Sequence, residues 1–117
     1  PVPEPAEDRV VTVDGLVLDP GARSVTLDAE PLDLTYLEFE LLAHLLIHPR
    51  RVWTRAQLLA TVWGWGPTPL VGDRRTVDVH VARLRRKLGA RHRERIVTVH
   101  RVGYKYDPAP ARAVAAG

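Results

Sequence analysis

The chain of 117 residues contains no cysteine, so it has neither a disulfide framework nor a thiolate metal site. It also lacks a long apolar segment, because the longest hydrophobic run, 41–47, is interrupted by His44. That run falls well short of the roughly 20 residues that cross a bilayer. The first eight residues are acidic and proline-rich, unlike a secretory signal peptide. We therefore expect a soluble cytoplasmic protein with no membrane partner.

The residue sets that catalysis uses are also missing. The sequence shows no Ser/His/Asp or Cys/His arrangement and no glycine-rich phosphate loop after a strand. His44 and His48 have the spacing of a metal pair, but no third ligand is evident and packing within a helix explains them better. We expect a protein that is not an enzyme and that binds neither a metal nor another cofactor.

Lysine is scarce, with 2 residues against 15 arginines, and the charges are unevenly distributed. The segment 71–106 contains 11 Lys and Arg against 3 Asp and Glu, a net charge of +8, whereas the remainder of the chain carries −5. Such an asymmetry indicates a polyanion that binds on one side of the molecule.

Residues 73–89 are the most informative segment. Four apolar residues recur at steps of four, three and four and predict the buried stripe of an α-helix. They are Val77, Val81, Leu84 and Leu88. The opposite side carries Arg75, Val79, Ala82 and Arg86, flanked by Arg83 and Arg85. A small, positive face suits the DNA major groove, where arginine reads guanine edges and a small apolar residue meets a thymine methyl. A solvated basic face is the alternative, but the bias toward one charge sign favours DNA.

The residues before this helix predict a sheet and two further helices. Four short strands, separated by turns at Asp14-Gly15, 19–21 and 28–30, predict a four-stranded antiparallel sheet. They are 10–13, 16–18, 24–27 and 31–34. Thr35 with Glu38, and Thr54 with Gln57, predict capping boxes that begin two helices. His48-Pro49 and Gly64 are expected to end them.

The residues after the helix predict a hairpin with a basic tip. Its strands are 96–99 and 104–106, and the tip is 100–103. Three helices followed by such a hairpin make a winged helix-turn-helix, an α+β fold. We expect this domain at 9–106, preceded by a linker at 1–8 from an upstream domain and followed by a flexible tail at 107–117.

Four motifs resemble the effector domain of OmpR/PhoB-type response regulators. They are LTYLEFELL (34–42), VWTRAQLLATVWG (52–64), RTVDVHVARLRRKLG (75–89) and TVHRVGYKY (98–106). The resemblance extends over 9–106, and LDLTYLEFELL (32–42) is similar to the nitrogen-regulator, or GlnR-like, branch. It implies the same fold in a bacterial transcriptional regulator of the two-component type, with sequence-specific binding to promoter DNA.

Position by position, the resemblance implies a recognition helix at 73–89 in the major groove and a wing at 96–106 on the adjacent minor groove. The matching residues of the helix are Arg75, Val79, His80, Arg83 and Arg85. Trp63 matches a contact with the DNA backbone, and Thr98 and His100 match wing contacts. The charge pattern adds Arg86, Arg101 and Lys105 as phosphate contacts. Arg101 stands where the family commonly has glycine.

The resemblance also implies partners beyond DNA. It implies a head-to-tail homodimer on direct repeats and a contact between the loop 64–74 and RNA polymerase. The alternative is a winged-helix protein-interaction module without sequence-specific DNA binding, which a nonspecific, salt-insensitive response to duplex DNA would favour.

Overall fold

The computed structural model describes residues 9–64 and 74–108, which form two antiparallel sheets and three helices. The N-terminal sheet has the order β1 (Val11–Val13), β2 (Leu16–Asp19), β3 (Ser24–Leu27) and β4 (Glu30–Pro31). This confirms the predicted four-stranded sheet, although β4 is shorter than expected. Its last pair with β3 is Thr26–Pro31, and the Leu32 amide beyond it still donates to the Val25 carbonyl at 2.9 Å.

Two tight turns set the register of this sheet. Asp14 and Gly15 have φ angles of 53° and 85°, the left-handed pair that a two-residue hairpin loop requires. The turn predicted at 28–30 has only two residues, Asp28 and Ala29, with φ of 51° and 71°, because Glu30 pairs with Leu27. Ala29 therefore adopts a conformation that favours glycine.

The first helix, α1 (Tyr36–Ile47), begins and ends as its sequence predicts. The Thr35 hydroxyl accepts from the Glu38 amide at 3.2 Å, and the Glu38 carboxylate accepts from the Thr35 amide at 3.0 Å. This confirms the capping box. The helix ends at His48, before Pro49, and its apolar stripe is buried in the core.

The second helix starts as an α-helix, α2 (Arg55–Leu58), and continues as a π-helical turn (Leu59–Trp63). The predicted Thr54–Gln57 capping box is present, with bonds of 2.9 and 3.0 Å. The Gly64 amide donates to the carbonyl of Leu59 at 3.0 Å. A Cβ at Gly64 would overlap the carbonyl oxygen of Ala60, so the turn needs glycine where it ends.

The third helix, α3 (Arg74–Leu88), buries the predicted stripe completely. Val77, Val81 and Leu84 have no exposed surface, and Leu88 is 3% exposed. Gly89, with φ of 82°, donates to the carbonyl of Arg85 and ends the helix. The core packs this stripe against the apolar residues of α1 and α2.

The C-terminal sheet has the order β5 (Trp53–Thr54), β7 (Gly103–Tyr106) and β6 (Ile96–Val99), with a short 3-10 helix (Arg93–Arg95) before β6. The β6–β7 hairpin is the predicted wing. Its pairing with β5 was not predicted, and it joins the wing to the residues that start α2. A Cβ at Gly103 would overlap the carbonyl oxygen of Trp53, so only glycine permits this pairing. The winged helix-turn-helix fold is confirmed.

The two sheets are joined by carboxylates in the N-terminal turns. The Tyr106 hydroxyl donates to Asp14 at 3.0 Å, and the buried ring of His92 lies 3.3 Å from Asp28. Burial, followed by the nearby Asp14 carboxylate, raises the pKa of Tyr106 above its ordinary value. The turns of the N-terminal sheet therefore dock it onto the end of the wing.

Candidate nucleic-acid interface

The face of α3 opposite the core is exposed, basic and small. Its exposed residues are Arg75, Val79, Ala82, Arg83 and Arg86. Val79 is 46% exposed, an unusual position for a branched apolar side chain on a helix whose other valines are buried. Since Val77 and Val81 hold the helix to the core, this face is presented outward on a rigid support.

His80 is held at the edge of this face. Its Nδ1 lies 2.8 Å from the carbonyl oxygen of Thr76, and its ring packs nearly perpendicular to the Trp63 indole, with the ring centres 5.1 Å apart. Because a carbonyl oxygen only accepts, Nδ1 carries the hydrogen of this bond. The contacts with Thr76 and Trp63 therefore hold the His80 ring in one orientation.

Trp63 lies deeper than the predicted contact with the DNA backbone suggests. Its side chain is only 3% exposed and belongs to the hydrophobic core. The Trp63 indole packs against the His80 ring of α3 and offers little surface to a ligand. The spacing of Leu58, Val62 and Trp63 along the second helix predicts this burial, whereas the DNA contact came only from the family resemblance.

Arg85 points toward the wing instead of outward. Its Nη2 donates to the carbonyl oxygen of Ile96 at 2.6 Å and to the hydroxyl of Thr98 at 2.7 Å. Its Nε also lies 3.2 Å from the Ile96 carbonyl. The side chain that the sequence placed on the flank of the DNA-reading face is thus bonded to β6.

Asp78 joins α3 to both the wing and α2. Its Oδ1 accepts from the Tyr104 hydroxyl at 2.6 Å and from Arg55 Nε at 2.7 Å. The bond to Asp78 raises the pKa of Arg55, and burial together with this bond raises the pKa of Tyr104. Arg55 and Tyr104 therefore keep the hydrogens that they donate to Asp78. These bonds join α2, α3 and the wing at one carboxylate.

The residues predicted for the interface from the sequence did not include Asp78, Arg55 or Tyr104. One signal was available. Asp78 is the single acidic residue of the basic helix α3 and follows the buried Val77, so its carboxylate lies close to the neighbouring elements.

The wing tip presents two basic residues to solvent. His100 and Arg101 are exposed, and the Val102 amide donates to the Val99 carbonyl at 2.9 Å across the turn. Arg101 has φ of 66°, as the third residue of a type II turn does, a position that favours glycine.

Apart from Trp63 and Arg85, the predicted site residues divide into three groups. Arg75, Val79, Arg83 and Arg86 share the exposed face of α3, with His80 at its edge. Thr98, His100 and Arg101 are exposed on the wing. Lys105 pairs with Val97, whereas its neighbour Tyr104 pairs with Thr98, so Lys105 lies on the other face of the hairpin from α3.

Several predictions fall elsewhere. Most of the predicted polymerase-contacting loop, residues 65–73, lies outside the described residues, as do the linker at 1–8 and most of the tail. Within the described ranges, no group of three or more His, Cys, Asp or Glu is arranged to hold a metal ion. The centre of the His44 ring lies 4.2 Å from the centre of the Trp53 ring and 5.3 Å from that of His48. Among residues 9–64 and 74–108, none of the helices has the length and apolar composition that a membrane crossing requires.

A sequence profile of the family "Transcriptional regulatory protein, C terminal" matches residues 29–106. The chain belongs to this family, as an OmpR/PhoB-type effector domain. The recognition of the family from its motifs is confirmed. Its assignment to the GlnR-like branch stays a prediction.

Two relatives of this OmpR/PhoB-type domain are regulators of about twice its length. It is 41% identical over 102 residues to the uncharacterized transcriptional regulatory protein YclJ of Bacillus subtilis, covering 86% of this chain and 44% of YclJ. It is 42% identical over 103 residues to the phosphate regulon transcriptional regulatory protein PhoB of Escherichia coli, covering 87% and 44%. The chain thus spans less than half the length of these relatives.

Solved structures share the fold over nearly their whole length. The DNA-binding domain of RstA from Klebsiella pneumoniae, in complex with the RstA box, superposes with a TM-score of 0.74 at 33% identity, over 86% of this chain and 99% of that one. The DNA-binding domain of CpxR from E. coli gives 0.72 at 35% identity, over 87% and 99%. Both are DNA-binding domains with the architecture described above.

Proposed function

We propose that this OmpR/PhoB-type domain binds double-stranded promoter DNA sequence-specifically, with α3 in the major groove and the wing on the adjacent minor groove. The observation that carries the proposal is the exposed face of α3, where Val79 lies among Arg75, Arg83 and Arg86. A groove about 12 Å wide admits one helix, and this face supplies both arginines for guanine edges and an apolar contact for a thymine methyl.

The charge distribution supports binding from one side. The segment 71–106, which includes α3 and the wing, carries +8. The exposed wing tip adds His100 and Arg101 to the arginines of the helix. Phosphate contacts of this kind position a protein on the duplex, whereas contacts with base edges read the sequence. We assign the base-reading role to Arg83 and Val79.

We further propose that two copies bind head to tail on direct repeats. One recognition helix and one wing bury only roughly 600–1,000 Å² and read a half-site. Two copies on half-sites about 10–11 base pairs apart would face the same side of the duplex. In a gel shift with the spacing varied one base pair at a time, cooperativity should peak near this value. Equal binding at every spacing would show that the copies do not touch.

The complete protein is proposed to be a two-component response regulator that acts in the cytoplasm. The support is the family membership and the regulators of about twice this length that the chain matches. We also propose that the loop 64–74 contacts RNA polymerase, as the family resemblance implies. Polymerase recruitment by the domain with and without substitutions in this loop would test that contact.

The proposed DNA binding is tested by selection from a pool of random duplexes. We expect enrichment of one motif, present in two copies at a fixed spacing. The selected duplex should then bind more tightly than a scrambled duplex of the same composition. If no motif is enriched and binding is insensitive to salt, the domain is instead a protein-interaction module.

A further inference from the structure

The guanidinium of Arg85 has its acceptors in the wing. Its Nε and Nη2 both point at the carbonyl oxygen of Ile96, and Nη2 also donates to Thr98 Oγ1. Its Cζ lies 5.5 Å from the centre of the Tyr104 ring, so the cation also faces an aromatic surface. Both hydrogen-bond acceptors belong to β6, and the side chain is half-buried.

We infer that Arg85 is a positioning residue, which sets the wing against the recognition helix and turns the Thr98 hydroxyl into a donor for a DNA phosphate. The inference rests on the proposed DNA binding. It assigns to Arg85 a role different from the direct DNA contact that the family resemblance implies.

The hydrogen-bond chemistry of Thr98 carries the second half of this inference. A hydroxyl has one hydrogen to donate and two lone pairs that accept. Arg85 has only donors, so it fills a lone pair of Thr98 and leaves the hydroxyl hydrogen directed elsewhere. Thr98 is exposed, and a phosphate oxygen only accepts. The adjacent positive charge polarises the O–H bond and strengthens its donation to an anion.

Arginine and lysine differ in this role, which gives a sharp test. A lysine keeps the charge but cannot bond Ile96 and Thr98 together with a planar fork. A direct phosphate contact needs mainly the charge. Arg86, which is exposed on the same helix, provides the comparison.

The experiment measures affinity for the duplex selected from the random pool, with four variants of the full chain. At Arg86, R86Q should weaken binding and R86K should restore most of it. At Arg85, both R85Q and R85K should weaken binding about tenfold, the loss of one charge-assisted bond. If R85K binds like the unsubstituted protein, Arg85 contacts phosphate directly and the inference is overturned.

Thr98→Val provides a second test that leaves the Arg85–Ile96 bonds in place and removes no buried group. It should weaken binding about tenfold, and the double variant R85K/T98V should lose no more than about tenfold in all. Losses that multiply to about a hundredfold, or a T98V variant that binds normally, would contradict the inference. Circular dichroism checks that each variant is folded. If the unsubstituted protein selects no duplex, the proposed function fails instead.

Discussion

Tyr104 donates its hydroxyl hydrogen to Asp78 at 2.6 Å, and this bond fastens the wing to the recognition helix. Arg55, in the first turn of α2, bonds the same carboxylate oxygen. The Asp78 carboxylate of α3 thus bonds both α2 and the wing. These bonds therefore hold the exposed face of α3 and the wing in a fixed relative orientation.

Removal of the Tyr104 hydroxyl should lower the free energy of unfolding. Tyr104→Phe leaves the ring packed but leaves Asp78 with one bond fewer, at a cost of about 1 kcal/mol. For a domain of this size the melting temperature should fall by roughly 4–8 °C in a thermal unfolding experiment. Tyr36→Phe is the matched control, since Tyr36 is 62% exposed. Equal melting temperatures for both variants would show that the bond contributes nothing.

Substitution of Arg101 by glycine should raise the stability of the domain and weaken its DNA binding. Arg101→Gly relieves the left-handed strain at φ of 66° and should stabilise the domain by about 0.5–1 kcal/mol, while weakening DNA binding through loss of a basic side chain at the wing tip. Ala29→Gly, in the distant turn with φ of 71°, should stabilise similarly and leave DNA binding unchanged. Chemical denaturation and binding titrations on both variants measure the two effects. An Arg101→Gly variant that binds DNA normally would show that the Arg101 side chain does not contribute to binding.

Glu38 should make the domain acid-sensitive. Its side chain is 1% exposed and 2.6 Å from Lys87 Nζ. Burial acts to raise the pKa of Glu38, but the Lys87 and Thr35 hydrogen bonds outweigh it and lower the pKa below the ordinary 4.5. The unfolded carboxylate therefore binds protons more readily, so this contribution to stability is complete above about pH 4.5 and is lost as pH falls through the folded pKa.

Denaturation curves at several pH values between 3 and 6 check this dependence. Glu38→Gln keeps an oxygen that can accept from the Thr35 amide but cannot titrate, so stability should fall less steeply below about pH 4.5 than in the unsubstituted protein. An identical slope for the two proteins would mean that other carboxylates cause the acid sensitivity.

Arg83 should read one base pair. It is exposed beside the small Ala82, so its guanidinium can extend past that residue into the groove. Arg83→Ala should cost roughly 1–3 kcal/mol of binding free energy and relax the preference at one position. Affinities for the selected duplex and its single-base variants measure this. A uniform loss across all duplexes would make Arg83 a phosphate contact.

The parts of the fold that depend on neighbouring residues followed from the sequence. The capping boxes at Thr35 and Thr54, the Asp14-Gly15 turn and the buried stripe of α3 all arise within a few residues. Each rests on local hydrogen bonds or on helical periodicity, which a sequence displays directly.

Features that depend on contacts between residues far apart in the chain were not predicted from the sequence. A helical projection places Arg85 on the flank of the basic face, but only the position of β6 turns its guanidinium toward Ile96 and Thr98. The π-helical turn (Leu59–Trp63) was not predicted either, because no residue pattern distinguishes it from a continued α-helix. The pairing of β5 with β7 joins residues about fifty positions apart. Periodicity carries no information on such contacts.

The salt dependence of DNA binding tests the central claim most directly. If the arginines of the exposed α3 face and the wing tip neutralise about three or four phosphates per copy, a plot of log K against log salt should have a slope of about −3 to −4. The titration uses the selected duplex from low to moderate salt, with the scrambled duplex in parallel. Tighter binding to the selected duplex at every salt concentration, with this slope, is the predicted result. A slope near zero with equal affinity for both duplexes would contradict the assignment of this face to DNA.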